Sequence, residues 1–84
     1  MEPPENYSQR VAAEFRAEAG RKQISISQIA AKVGLHPNTV SLKLRGDKSF
    51  TVDDFFAFAS ALDVSPADVV NVVESSLVTE GVTA

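Results

Sequence analysis

Two short amphipathic segments joined at a single glycine, within residues 24–46, constrain the fold of this chain more than any other feature. In the first segment, apolar residues recur at i, i+3, i+4 and i+7, a spacing that aligns them on one face of a helix. These residues are Ile26, Ile29, Ala30 and Val33. Gly34 can adopt the left-handed conformation that ends a helix, and Pro37 suits the first turn of the next one. The pattern predicts a helix-turn-helix unit over about residues 25–45.

The predicted second helix, residues 37–45, has two different faces. Val40 and Leu44 are four residues apart, so they stack on the side that packs against the first helix. The opposite side carries Asn38, Ser41, Leu42 and Arg45. Amide, hydroxyl and guanidinium groups can pair with base edges in the major groove of DNA, and leucine can contact a thymine methyl group. These four residues are the candidates for reading bases, although Leu42 could equally contact a partner subunit or be an ordinary exposed leucine.

A second set of residues flanks this stripe or lies at neighbouring helix starts. Lysine side chains, hydroxyl groups and helix N-termini bind phosphates, which position a protein on DNA without reading its sequence. The candidates for phosphate contact are Ser25, Ser27, Thr39, Lys43, Lys48, Ser49 and Thr51. For Lys48, Ser49 and Thr51, a solvated loop or a helix cap is the alternative interpretation.

The distribution of charge supports a nucleic-acid surface, although the chain as a whole is acidic. Its formal net charge is −3 and its pI is about 4.9. Six of its eight basic residues lie within residues 21–48, where Asp47 is the only acid, so this segment carries a charge of +5. The charge at the contact surface governs phosphate binding more than the net charge does. A polar helix face alone is common on globular proteins, and the basic segment strengthens the DNA-binding interpretation.

Length and composition bound the remaining possibilities. Eighty-four residues support one small domain, which we place at residues 6–78, with a flexible arm at residues 1–5 and a flexible tail at residues 79–84. Cysteine is absent and histidine occurs once. With no glycine-rich phosphate loop and no cluster at metal-ligand spacing, we expect no enzyme, cofactor, metal or small-molecule ligand. No apolar run approaches the roughly 20 residues of a membrane span.

Three further helices are predicted outside the helix-turn-helix unit. The first begins near Asn6 or Tyr7 and ends at Gly20. Thr51 and Ser65 are each followed three residues later by an aspartate, a capping pattern that opens a helix. The residues predicted to face inward from these last two helices are Val52, Phe55, Phe58, Ala59, Leu62, Val69, Val72 and Val73. No segment alternates convincingly between polar and apolar residues, so the predicted fold is all-α, with five helices.

Two apolar residues, Phe56 and Val70, fall outside these inward faces. Exposed apolar side chains favour self-association, and a single small module buries little DNA surface for strong specificity. We therefore predict a homodimer, at least on DNA. The candidate interface residues are Phe56, Val70, Val73 and Leu77. The alternative is that the core is simply broad.

The order IAAKVGLHPNTVSLKLRG followed by FTVDDFFAFASALDVSPADVV resembles the lambda-repressor-like helix-turn-helix family, the Cro/CI and Xre regulators, particularly phage and actinobacterial members. The resemblance covers about residues 8–73. Its motifs are the isoleucine-alanine pair before the turn, Gly34, residues 39–41, Gly46 and residues 59–65. It implies a compact five-helix bundle that binds operator DNA, expected to be a repressor inserting helix 37–45 into the major groove of a two-fold site.

The sequence departs from the family pattern at Leu42, Ile26 and His36. His36 stands where serine or threonine usually caps the second helix, so a weaker helix start is expected. The alternative function is a protein-interaction module, of the antirepressor or antitoxin-partner type, that keeps the fold and binds DNA weakly. The acidic pI and Leu42 favour this alternative, and the basic segment opposes it. Either function predicts a cytoplasmic protein of a bacterial cell or a phage-infected host, with no membrane partner.

Overall fold

Five α-helices, and no strand, make up the part of the chain that the structure describes. This computed structural model describes the backbone of residues 7–82 and the side chains of residues 7–75. The helices are α1 (Tyr7–Lys22), α2 (Ile26–Val33), α3 (Pro37–Leu44), α4 (Val52–Ala61) and α5 (Pro66–Val82). The predicted all-α fold with five helices is confirmed. The predicted arm at residues 1–5 lies outside the described residues, and α5 continues to Val82, beyond the predicted start of the tail at residue 79.

Aromatic rings at the centre of the core join α1 to α4. Phe15 of α1 is completely buried, and its ring centroid lies 5.4 Å from that of Phe50 and 5.8 Å from those of Phe55 and Phe58. Phe50 and Phe58 meet edge to face at 5.0 Å. Such aromatic pairs each contribute about 0.5–1.5 kcal/mol beyond the burial of their area. The other buried residues of this core are Ile29, Ala30, Val40, Leu44, Ala59, Ala61, Leu62, Val69 and Val73.

The helix-turn-helix unit forms as its capping residues predict. Ser25 and Gln28 make a reciprocal capping box at the start of α2, with hydrogen bonds of 3.1 and 2.8 Å. Gly34 ends α2 in the left-handed conformation, with φ 75°. His36 caps α3, because its Nδ1 atom accepts a hydrogen bond of 3.0 Å from the backbone amide of Asn38. A histidine therefore satisfies one of the free amides at this helix start.

The end of α1 differs from the prediction. The helix runs past Gly20 to Lys22, and Gln23 takes the left-handed conformation, with φ 55°. The amide of Ile24 donates to the carbonyl of Ala19 at 2.9 Å, which is the hydrogen bond that closes this kind of helix end. Glycine is common at such a position but not required, so the sequence alone misplaced the boundary by two residues.

Two valines predicted to face inward are largely exposed. Val52 is 72% exposed and Val72 is 47% exposed. Val52 is the first residue of α4 and precedes the turn that packs on the core. On α5, Val69 and Val73 form the buried stripe. That stripe is narrow, so Val72 falls outside it.

None of the described helices is by itself long and apolar enough to cross a membrane. One pair, Val52–Ala61 with Pro66–Ser75, reaches the required length and composition only when taken together, and its members are bent by 110°.

Two glycine substitutions test the placement of these helix ends. Gly20→Ala should stabilise the protein by about 0.5–1 kcal/mol, because Gly20 lies inside α1 and an added Cβ meets nothing within 4 Å. Gly34→Ala should destabilise it by about 1 kcal/mol, because Gly34 has φ +75°. Urea unfolding of the two variants measures both effects. A destabilised Gly20→Ala variant would contradict the continuation of α1 to Lys22.

Candidate nucleic-acid interface

The second helix of the helix-turn-helix unit, α3, is fixed to the protein on its inner side. Val40 is completely buried and Leu44 is 5% exposed. At the C-terminal end of α3, the Arg16 guanidinium of α1 donates a hydrogen bond to the carbonyl oxygen of Leu44. A cation at this end is favourable, because the free carbonyl groups of a helix C-terminus carry partial negative charge. The orientation of α3 is therefore determined by both apolar packing and a long-range hydrogen bond.

The four predicted base-reading residues lie away from this inner side. Asn38 and Arg45 are exposed, and Ser41 and Leu42 are partly buried. The Nη2 atom of Arg45 lies 3.2 Å from Oδ2 of Asp47, and both side chains are about 60% exposed. Exposed ion pairs contribute only about 0–1 kcal/mol, so the Arg45 guanidinium can exchange Asp47 for another acceptor. This face of α3 carries three polar side chains and one leucine on a helix that is held by its inner side.

Five of the seven predicted phosphate-contacting residues lie before or after α3 along the chain, and two lie on α3 itself. Ser25 and Ser27 are exposed at the start of α2. Thr39 is partly buried on α3. Lys48, Ser49 and Thr51 are exposed in the segment between α3 and α4. The hydroxyl oxygens of Ser25 and Thr51 also cap helices, because they accept hydrogen bonds from backbone amides of α2 and α4.

Lys43 lies elsewhere than the sequence indicated. Only 5% of it is exposed, and its Nζ atom is 2.7 Å from Oδ2 of Asp54 and 2.7 Å from the carbonyl oxygen of Ser49. The ammonium group also lies 5.8 Å from the centroid of the Phe50 ring. Its hydrogen bonds are made within the protein, and the predicted phosphate contact does not agree with this placement. Lys43 follows Val40 by three residues, which at about 100° per residue keeps it near the buried face of α3.

Asp54 joins the start of α4 to α3. Its Oδ2 atom accepts from Lys43 and also, at 3.3 Å, from the backbone amide of Thr51. Its own amide donates to the Thr51 hydroxyl at 3.0 Å. The hydrogen bond from Lys43 lowers the pKa of the Asp54 carboxyl group below its ordinary value; Thr51 also lowers this pKa, and burial partly opposes them. The sequence predicted the cap between Thr51 and Asp54 but not the ion pair.

Much of the positive charge in residues 21–48 is engaged within the protein. Four of its six cationic side chains have partners: Arg21, Lys22, Lys43 and Arg45. Lys32 and Lys48 form no ion pair or hydrogen bond with the residues that the structure describes. The charge that is directly available to a nucleic acid is therefore smaller than +5.

Two cations of α1 have structural roles that the sequence did not indicate. Arg16 donates to the end of α3, and Lys22 donates to the carbonyl oxygens of Leu62 and Asp63 at 2.8 and 2.7 Å. Their partners lie 28 and 40 residues away along the chain. No local pattern predicts such contacts. For Lys43, its spacing from Val40 was a usable signal of burial.

The predicted dimer residues differ in how far they are exposed. Phe56 is 54% exposed and Val70 is 44% exposed. With Tyr7 and Val52, they border an apolar groove of about 490 Å³ between α1, α4 and α5. Val73 also lines this groove but is only 4% exposed, as its predicted inward position on α5 requires, and it is not the dimer-surface residue that we also predicted. The side chain of Leu77 lies outside the described residues.

The same arrangement of helices occurs in solved structures. Two structures of the clp gene regulator ClgR from Corynebacterium glutamicum match this chain. One is 21% identical with a TM-score of 0.83, covering 96% of this chain and 86% of that chain. The other is 24% identical with a TM-score of 0.78, covering 89% and 95%. The restriction-modification controller protein C.AhdI from Aeromonas hydrophila is 23% identical with a TM-score of 0.67, covering 73% and 92%.

Sequence comparison agrees with this likeness of fold. No curated protein sequence matches the chain significantly. A family model described as helix-turn-helix matches residues 13–69, which contain α2, α3 and α4 and most of the core. The chain belongs to the Cro/CI-like, Xre-type helix-turn-helix family of DNA-binding transcriptional regulators.

Proposed function

We propose that this protein is a sequence-specific regulator that binds double-stranded operator DNA and acts as a repressor, with α3 and Arg45 in the major groove. One observation carries the proposal. Asn38, Ser41, Leu42 and Arg45 lie away from the buried side of a helix that the core and Arg16 hold in place. A fixed helix can present these groups to base edges without being ordered first, which favours binding.

Base reading would depend mainly on Asn38 and Arg45, since both are exposed. Asparagine pairs bidentately with adenine and arginine with guanine, and each good pair is worth about 1–3 kcal/mol of discrimination. Arg45 would release Asp47 when it binds, and the exposure of both side chains keeps this exchange inexpensive. Ser41 and Leu42 lie between them along the helix and would contact the intervening base pairs.

Phosphate contacts would come from both sides of α3. The exposed Ser25 and Ser27 lie at the N-terminus of α2, where free amides favour an anion. Lys48 and Ser49 are exposed beyond the other end of α3, and Lys48 keeps an ammonium group without a partner among the described residues. Thr39 and Thr51 would be secondary contacts. Lys43 is not part of this set, because its ammonium is bound to Asp54.

We propose that the protein acts as a homodimer, with Phe56 and Val70 at the contact between copies. Both are exposed, and both border the apolar groove. A two-fold dimer would place two copies of α3 about one DNA turn apart, roughly 34–36 Å, on a palindromic operator. The similar solved proteins are named a gene regulator and a controller protein, and control of transcription is the corresponding role here, in the cytoplasm of a bacterial cell or a phage-infected host.

A protein-interaction module is the second candidate function. The apolar groove and the engagement of four of the six cations in residues 21–48 favour it. Such a module would bind random duplex DNA weakly even at low salt. A DNA-binding regulator would instead show strong, salt-dependent affinity.

Two substitutions separate base reading from phosphate binding. On an operator selected from a randomised duplex pool, Asn38→Ala should reduce discrimination at one base position by about 1–3 kcal/mol, roughly 5- to 150-fold. Lys48→Ala should weaken binding to all duplexes and make the negative slope of log affinity against log salt shallower by about 0.9. Fluorescence anisotropy at several salt concentrations measures both. Arg21→Ala, which removes the same charge from the Glu18 ion pair, is the control for Lys48→Ala. If neither test variant changes binding, α3 is not the reading surface.

Substitutions at two valines of α5 test the proposed dimer contact. Val70 and Val72 are 44% and 47% exposed, but only Val70 lines the groove. Val70→Glu should raise the dimer dissociation constant by at least about tenfold, because a charge would be buried without a partner, and Val72→Glu should leave the constant nearly unchanged. Sedimentation velocity over a range of concentrations, with and without operator, provides the measurement. Equal effects of the two substitutions, or a protein that is monomeric even on DNA, would refute this interface.

A further inference from the structure

The segment between α3 and α4, residues 45–51, is attached to the core through Phe50. The ring of Phe50 packs on Phe15 and Phe58, and the amide of Phe50 donates to the Ser8 hydroxyl at 3.0 Å. One residue earlier, the carbonyl oxygen of Ser49 accepts a hydrogen bond from the ammonium group of Lys43. Lys48, which carries a partnerless ammonium within the described part of the chain, directly precedes this attachment.

The Lys43–Asp54 ion pair connects three parts of the chain at one point. Lys43 is on α3, Ser49 is in the intervening segment, and Asp54 is in the first turn of α4. The Nζ atom is 2.7 Å from an oxygen of each partner. The side chain of Lys43 is 7% exposed and that of Asp54 is 21% exposed. Water therefore screens this pair less than it screens the exposed pair of Arg45 and Asp47.

We propose that Lys43 is a positioning residue, and that its ion pair with Asp54 holds α3 and the segment bearing Lys48 in the arrangement that DNA requires. This inference rests on the proposed function. Lys43 would influence affinity without touching the nucleic acid. Asp54, an acidic residue, would support the binding of a polyanion.

The salt dependence of binding distinguishes positioning from direct contact. A lysine that neutralises a phosphate releases counterions and contributes about 0.9 to the slope of log affinity against log salt. A lysine that only positions other groups contributes nothing to this slope. The sign of the Asp54 effect is a second criterion. Removal of an acidic charge from a DNA-binding protein should raise affinity if electrostatic attraction alone is at work, whereas loss of positioning should lower it.

The experiment compares Lys43→Met, Asp54→Asn, their double variant and Lys48→Met on a selected operator. Each variant is first shown by circular dichroism to be folded at the assay temperature. Lys43→Met should lower affinity by about 5- to 50-fold with the slope unchanged, and Lys48→Met should make the slope shallower by about 0.9. Asp54→Asn should also lower affinity. The double variant should bind the operator at least as tightly as the single variant with the lower affinity, because the two residues act through one interaction.

Rescue by a conservative substitution adds an independent criterion. Asp54→Glu keeps the carboxylate and should bind within about threefold of the unsubstituted protein. If Lys43→Met does not fold, Asp54→Asn and Asp54→Glu still decide the matter. A shallower slope for Lys43→Met, or unchanged or increased affinity for Asp54→Asn, overturns the inference while the proposed function stands. If the unsubstituted protein binds no duplex at low salt, both fail together.

The ion pair also predicts how stability depends on pH. In the folded protein, the pKa of the Asp54 carboxyl group lies below its ordinary value of 3.8, chiefly because Lys43 donates a hydrogen bond to it. A lowered folded pKa stabilises the native state above the unfolded pKa, and this contribution is lost as pH falls through the folded pKa. The melting temperature of the unsubstituted protein should therefore exceed that of Asp54→Asn at pH 7, and the difference should shrink as pH falls below about 4. A difference that stays constant down to pH 2 would show that the carboxylate charge is not involved.

Discussion

The packing of Phe15 against Phe50, Phe55 and Phe58 is the interaction on which the rest of this structure depends. It brings α1, the segment before α4 and α4 itself to one point. The ammonium group of Lys43 lies over the ring of Phe50, so the aromatic cluster also contacts the Lys43–Asp54 ion pair. The position of α3 is consequently tied to the core by both apolar packing and charge.

Cationic side chains divide between two tasks in this small domain. Arg16, Lys22 and Lys43 donate to backbone carbonyl groups at the ends of helices or in the segment after α3. Lys32 and Lys48 have no such partner among the described residues. Lys43 is the buried member of this set, and a desolvated cation that is hydrogen-bonded within the protein supports the shape of the binding face but adds little to its attraction for phosphates. Net charge by segment therefore overestimates the charge that a duplex would meet.

The apolar groove shows why a helical pattern identifies core residues only approximately. Val52 and Val72 have the spacing of core residues yet are exposed, whereas Val73, which the same spacing predicts to face inward, is buried. Periodicity gives the angular position of a side chain around its own helix. It does not say how wide a stripe the neighbouring helices cover, and the stripe covered on α5 is narrow.

The sequence by itself determined the features whose partners lie within a few residues. These include the capping boxes of Ser25 and Thr51, the left-handed Gly34, the all-α class and the outward placement of Asn38 and Arg45. Only the tertiary structure decided that Lys43 binds Asp54 and that Arg16 holds the end of α3. The reason is physical: caps and helix faces follow from local backbone geometry, whereas a long side chain can reach several partners, and the folded packing of distant segments selects one of them.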